Sequence, residues 1–92
     1  MKLERAHVFF EGRVQGVGFR YSCRSLAMGF SATGVVKNLP DGRVELIAEG
    51  ERAELEEFLR AIDESELRAF IRKRSVEWKD ARGEWKDFHI EH

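Results

Sequence analysis

Strand-like and helix-like hydrophobic spacing alternate along this chain, and the order of these segments limits the folds open to it. The segment His7-Val8-Phe9-Phe10 supplies β-branched and aromatic side chains and predicts a first strand at about 5–11. Apolar residues then recur every three or four positions over 19–30, as on one face of a helix. Two further apolar segments, at 35–39 and 44–48, flank Pro40-Asp41-Gly42 and predict a β-hairpin.

The second half of the chain continues the alternation. Apolar residues at helical spacing between Ala53 and Ile62 predict a second helix, which we expect to break at 63–65. A strand over 71–78, a turn at Gly83 and a closing strand over 84–90 follow, with the last strand either single or split in two. The order β-α-β-β-α-β is that of the ferredoxin-like sandwich. We therefore expect an α+β fold with an antiparallel sheet and both helices on one face.

The length and charge of the chain limit its function. We expect one domain over residues 1–92, because this length suits a single hydrophobic core. The 16 Lys and Arg residues nearly balance 17 Asp and Glu residues, so the basic surface of a non-specific nucleic-acid binder is lacking. The first ten residues lack the apolar core of a signal peptide. We therefore expect a cytoplasmic monomer that binds neither nucleic acid nor membrane.

The composition is rich in charge and poor in amides. Charged residues make up 36% of the chain, above the roughly 25% of typical globular domains. Gln15 and Asn38 are the only side-chain amides, and this pairing resembles composition shaped by high temperature. We interpret the acidic residues between Glu45 and Glu57 as a solvated face. The two remaining amides are candidates for chemistry that a charged residue cannot perform.

The sequence GRVQGVGFR at 12–20 joins the first strand to the first helix. Its three glycines permit positive φ, so that successive N–H groups can turn inward to bind an anion, and the helix N-terminus adds its positive end. The Arg20 guanidinium can add a bidentate hydrogen-bonded contact to phosphate. The alternative is a simple connection with Arg20 solvated.

Other sites find little support in the sequence. The loop completes neither GxGxxG nor a GK[ST] motif, so we expect no nucleotide cofactor. The three histidines lack metal-ligand spacing, and we assign no metal. Cys23, the only cysteine, is interpreted as a small buried helix residue.

Together with Asn38, which follows Arg20 by eighteen residues within GVVKNLPDG, the loop closely resembles the acylphosphatase family. Further matches are Ala27, Val44, Glu49-Gly50 and Phe88-His89-Ile90. The resemblance implies hydrolysis of the carboxyl-phosphate bond of acyl phosphates without metal or cofactor. It implies that Arg20 binds the phosphoryl group and that Asn38 orients the attacking water. It also implies that the oxygens of that group are held by the backbone N–H groups of Gln15, Gly16, Val17, Gly18, Phe19 and Arg20.

Three positions depart from the family pattern, and two alternative functions are open. Ser31 stands where glycine is usual, Val35 where an aromatic residue is frequent, and Ser65-Glu66 where Gly-Pro usually follows the second helix. The first alternative is a non-catalytic anion-binding module of the same fold; the lack of a linker favours a freestanding enzyme instead. The second is a single-stranded RNA binder, but its aromatic motif belongs on a central strand, whereas GFRY at 18–21 opens a helix.

Overall fold

A five-stranded sheet and two α-helices make up the computed structural model, which describes residues 2–92. The elements are β1 (Leu3–Gly12), α1 (Phe19–Ala27), β2 (Thr33–Asn38), β3 (Val44–Glu51), α2 (Arg52–Asp63), a short 3₁₀ helix (Glu66–Phe70), β4 (Ile71–Asp80) and β5 (Phe88–Glu91). The strand order is β4-β1-β3-β2-β5. The expected ferredoxin-like α+β fold is confirmed.

The sheet is mixed, where a purely antiparallel one was predicted. The pairs β4–β1, β1–β3 and β3–β2 are antiparallel, whereas β5 runs parallel to β2. This direction follows from the topology: β4 and β2 run in opposite senses, and residues 81–87 reverse the chain as it crosses from one edge of the sheet to the other. The last strand is thus split into β4 and β5, the alternative that the hydrophobic pattern left open.

The hydrophobic core lies between the helices and one face of the sheet. Alternate residues of β1 and β3 point into it, and so does one side of each helix. The opposite face of the sheet, which carries no helix of residues 2–92 and is called the open face below, bears Arg5, His7, Phe9, Glu45 and Glu49. The fully buried core side chains of largest volume are Phe10, Phe19, Phe58, Leu46, Leu55, Ile62 and Leu67.

The predicted break after the second helix is confirmed. Helix α2 ends at Asp63, and the Ser65 hydroxyl accepts a hydrogen bond from Leu67 N–H at 3.1 Å, which caps the 3₁₀ helix. Serine is a favourable residue at such a cap. Two other positions depart from the family pattern. At the first, Ser31 N–H donates to the Glu54 carboxylate at 2.8 Å; at the second, Val35 is buried on the open face of the sheet.

The predicted closing strand over 84–90 was wrong in its first half. Strand β5 begins only at Phe88, and residues 81–87 cross the open face of the sheet without strand pairing. There the Arg5 guanidinium lies 4.9 Å from the centre of the Trp85 ring and also pairs with Glu84. These side-chain contacts hold the 81–87 segment against the sheet where hydrogen bonds between strands would otherwise do so. A local sequence pattern does not reveal such contacts.

The interpretation of the acidic residues between Glu45 and Glu57 as a solvated face is wrong for Glu49. Its side chain is only 4% exposed and accepts hydrogen bonds from Arg5 Nε (2.8 Å), Arg82 N–H (2.8 Å) and Gly83 N–H (2.9 Å). Burial alone raises the pKa of Glu49, but these hydrogen bonds outweigh it and the net pKa lies below its usual range. Glu49 therefore fastens the 81–87 segment to the sheet.

Candidate active site

The loop between β1 and α1 owes its shape to two glycines with positive φ. Gly16 has φ 79° and Gly18 has φ 76°, a region that other residues adopt at a cost. A Cβ atom placed on either glycine would meet no described residue within 4 Å, so the backbone of the loop is open on that side. Gly12, which was assigned to the same loop, instead ends β1 at a register shift opposite Ile71.

Apolar anchors hold the two ends of the loop. Val14 and Phe19 are almost completely buried, and the Phe19 ring packs against Phe10 with centroids 5.0 Å apart. Gly16 and Gly18, between these anchors, are exposed. The loop is thus an exposed arch of backbone fixed to the core at both ends.

The backbone donors of this arch are free. Within residues 2–92, no N–H group from Gln15 to Arg20 donates to a backbone carbonyl. No side chain in the part of the chain that the structure describes caps helix α1, and its first turn carries no acidic residue. Its N-terminal N–H groups and the positive end of its dipole therefore remain available to an anion.

Asn38 is the last residue of β2 and lies opposite Val44. Its side-chain oxygen, Oδ1, is buried and accepts no hydrogen bond from any residue in the described range 2–92. A buried acceptor without a donor costs about 1–3 kcal/mol. A bound water molecule or ligand would supply the missing donor.

Two sets of contacts bring the glycine loop and Asn38 to the same end of the sheet. The Gln15 side chain donates to Leu39 O at 2.8 Å, directly after Asn38. Arg20 Nη1 lies 3.4 Å from Glu91 O, and β5 places Glu91 beside Lys37, directly before Asn38. The two motifs therefore converge where β2 ends.

Some groups in this region were missed by sequence reasoning. The scarcity of amides marked Gln15 as a candidate, but the family resemblance implied a role for its backbone, and the contacts of its side chain with Leu39 O and Arg43 O were not predicted. No role was predicted for Glu91 or His92, whose Nδ1 lies 3.5 Å from Arg20 Nη1. No local signal could have found them, because their position depends on the parallel pairing of β5 with β2.

The structure also settles the environment of Cys23. This side chain is fully buried in α1, and burial raises the pKa of its thiol to about 12. The interpretation as a buried helix residue is confirmed, since a thiol that stays protonated is a poor nucleophile.

Comparison with known proteins gives the family. A family model described as acylphosphatase matches residues 6–90. The chain belongs to the acylphosphatase family. The acylphosphatase of Trichormus variabilis is 46% identical over 82 residues, which cover 89% of this chain and 81% of that protein. The acylphosphatase of a Roseiflexus species is 41% identical over 90 residues, covering 98% and 97%.

Solved structures agree with membership of the acylphosphatase family. The crystal structure of acylphosphatase from Bacillus subtilis superposes with a TM-score of 0.88 at 34% identity, covering 97% of this chain and 99% of that one. Full-length HypF, in its phosphate- and nucleotide-bound form, matches with a TM-score of 0.85 at 28% identity, over 99% of this chain and 12% of HypF. The family resemblance carried by the two motifs is thus confirmed, and the roles of their individual residues stay predictions.

Proposed function

We propose that this acylphosphatase-family protein hydrolyses acyl phosphates to a carboxylate and inorganic phosphate. The observation that carries the proposal is the convergence of two features at one end of the sheet. One is an arch of unpaired backbone N–H groups beside Arg20, and the other is Asn38 with its unpaired side-chain oxygen. The first suits a phosphoryl group and the second suits a water molecule.

The phosphoryl group binds to the loop Gln15–Arg20. The free N–H groups of this loop and the N-terminus of α1 donate to its oxygens, and the Arg20 guanidinium binds two of them. Among residues 2–92, the guanidinium of Arg20 makes only long hydrogen-bond contacts, at 3.4 Å with Glu91 O and 3.5 Å with His92 Nδ1. These contacts are weak enough to give way to a phosphate.

Asn38 orients the attacking water. The terminal torsion of an amide side chain is soft, so Oδ1 can turn toward the glycine loop and accept a hydrogen from water, which satisfies the buried acceptor. An uncharged amide suits this position because a carboxylate there would repel the dianionic phosphate.

The reaction needs positioning more than acid-base catalysis. The water oxygen forms a bond to phosphorus as the bond from phosphorus to the carboxylate oxygen breaks, and the electron pair leaves with the carboxylate. The water releases its proton to solvent. A carboxylate leaves readily at neutral pH, and a loose phosphoryl-transfer transition state requires mainly alignment and charge stabilisation. We infer that neither a metal ion nor an organic cofactor takes part.

The remaining proposals concern the molecule in solution. We infer a single domain over 1–92 and a monomer, supported by one core cluster shared by the sheet and both helices. Sedimentation should then give the chain mass of 10.7 kDa, and a dimer mass would contradict it.

None of the helices within 2–92 has the length and apolar character to cross a membrane. We also propose a cytoplasmic location, and the balanced charge supports a protein that does not bind nucleic acid.

A direct assay tests the proposed function. With EDTA present, the purified protein should convert benzoyl phosphate to benzoate and inorganic phosphate in equal amounts. Arg20→Ala should lower kcat/KM at least about a hundredfold, the scale of losing a preorganised charge-stabilising contact. The matched control is Arg60→Ala, which removes an exposed arginine from α2 and should leave turnover unchanged. Phosphate binding without turnover would favour the anion-binding module instead.

A further inference from the structure

One side chain connects the phosphate loop to the hairpin that carries Asn38. Gln15 Nε2 donates to Leu39 O at 2.8 Å and to Arg43 O at 2.9 Å. These carbonyls flank the pair of Asn38 and Val44 at the end of the hairpin. Leu39 N–H also donates to Arg43 O at 2.8 Å, so both acceptors are held together across the base of the turn.

An amide is well suited to this connection. Its nitrogen carries two hydrogens, and here each is directed to one carbonyl. A glutamate would have no hydrogen to donate at neutral pH, and a hydroxyl would have only one. Gln15 is one of the two amides in the chain, and the other is Asn38 itself.

We propose that the Gln15 side chain is a positioning residue that sets the place of Asn38 relative to the phosphate loop. The inference rests on the proposed function, in which the loop holds the phosphorus and Asn38 holds the water. The two hydrogen bonds of Gln15 link these halves directly, across 24 and 28 residues of sequence. Because a reacting water must approach phosphorus in line, a small shift of Asn38 lowers the rate without releasing the phosphate.

The Gln15→Met variant tests this role, because methionine keeps the length of the side chain and removes both donors. We expect kcat to fall at least about tenfold. The dissociation constant for inorganic phosphate should change less than about threefold, because the backbone N–H groups and Arg20 bind it. The control is Asp41→Ala, which removes the 3.1 Å and 2.8 Å contacts of Asp41 with Arg43 inside the same turn but leaves the connection to the loop. Its kcat should stay within about twofold of the wild type.

A double-mutant cycle separates positioning from a merely structural role. If Gln15 acts through Asn38, then Gln15→Met should cost less than about twofold in kcat when Asn38 is already alanine. The Gln15→Glu variant adds a second readout. Its kcat relative to wild type should rise as pH falls through the carboxyl pKa, because the protonated acid regains one donor.

The outcomes also separate this inference from the proposed function. An inactive wild-type protein in the same assay would contradict the proposed function. An active wild type with Gln15→Met at full kcat would contradict only the positioning role. An equal fold-loss from Gln15→Met with Asn38 present or absent would likewise overturn it, because the effect would then not pass through Asn38.

Discussion

Gly18 determines how the chain enters α1, because it precedes the helix with φ 76° and ψ 20°. A left-handed residue at this point turns the preceding backbone across the end of the helix and leaves the first N–H groups facing outward. The absence of a side-chain cap in α1 has the same effect, since a capping serine or aspartate would occupy those donors. A helix start that is poor for stability is therefore suited to binding an anion.

Replacing Gly18 with alanine should separate activity from stability. Alanine at positive φ costs about 1–2 kcal/mol, so the free energy of unfolding should fall by that amount. The loop should also relax away from its anion-binding shape, lowering kcat/KM at least about tenfold. Denaturant unfolding and steady-state assays measure the two effects.

Gly83 offers the matched control for this variant. It has φ 69°, and a Cβ there would also meet nothing within 4 Å, but it lies in the 81–87 segment on the open face of the sheet. Gly83→Ala should lose similar stability and keep full activity. Equal activity losses in both variants would show that backbone strain alone, and not the loop, accounts for the effect.

At the scale of elements, the 81–87 segment shows how a buried carboxylate can replace a strand pairing. Glu49 binds two backbone N–H groups of this segment and the Arg5 guanidinium. The segment in turn directs the chain from β4 at one edge of the sheet to β5 at the other. Glu49 therefore helps to set the path of the chain between β4 and β5.

The stability of this arrangement should depend on pH. The native pKa of Glu49 lies below its unfolded value of about 4.3, so the native state binds fewer protons than the unfolded state in this range. The stabilisation is complete above the unfolded pKa and is lost as pH falls through the native pKa. Glu49→Gln should destabilise by about 2–3 kcal/mol at pH 7, because both carboxylate oxygens accept from N–H donors and the amide keeps only one accepting oxygen.

Unfolding experiments at several pH values check this expectation. The difference in unfolding free energy between wild type and Glu49→Gln should be largest near neutral pH and should shrink below about pH 4. Glu57→Gln, which alters an exposed pair with Arg60, serves as the control and should show no measurable change. A difference that stays constant down to pH 2 would contradict a titrating role for Glu49.

Local patterns in the sequence predicted the elements whose signals are local. Apolar residues at helical spacing predicted both helices, and Pro40-Asp41-Gly42 predicted the turn of the hairpin. Residues 63–65 predicted the end of the second helix. The sequence could not reveal that residues 84–87 would leave the sheet, because Trp85 looks like a strand residue until the Arg5 guanidinium is placed against its ring. The burial of Glu49 was hidden for the same reason, since its partners are 33, 34 and 44 residues away.

At the scale of the whole molecule, the sheet order creates the site. Strand β3 separates β1 from β2, so the loop after β1 and the end of β2 belong to strands that do not pair with each other. The Gln15 side chain and helix α1 cross this gap, and β5 completes the far side. The two motifs could be predicted from the sequence, whereas the connection between them required the long-range arrangement of the fold.

The central claim is that Asn38 orients water for attack on a phosphoryl group held by the loop. The kcat of Asn38→Asp with benzoyl phosphate in EDTA tests it most directly, because aspartate keeps the shape of asparagine and changes its charge. We expect the kcat of Asn38→Asp to fall at least about a hundredfold at neutral pH, while the protein stays folded. The Asn38→Ala variant, which adds no charge, should keep the wild-type affinity for inorganic phosphate. A folded Asn38→Asp protein that hydrolyses benzoyl phosphate at the wild-type rate would contradict the account.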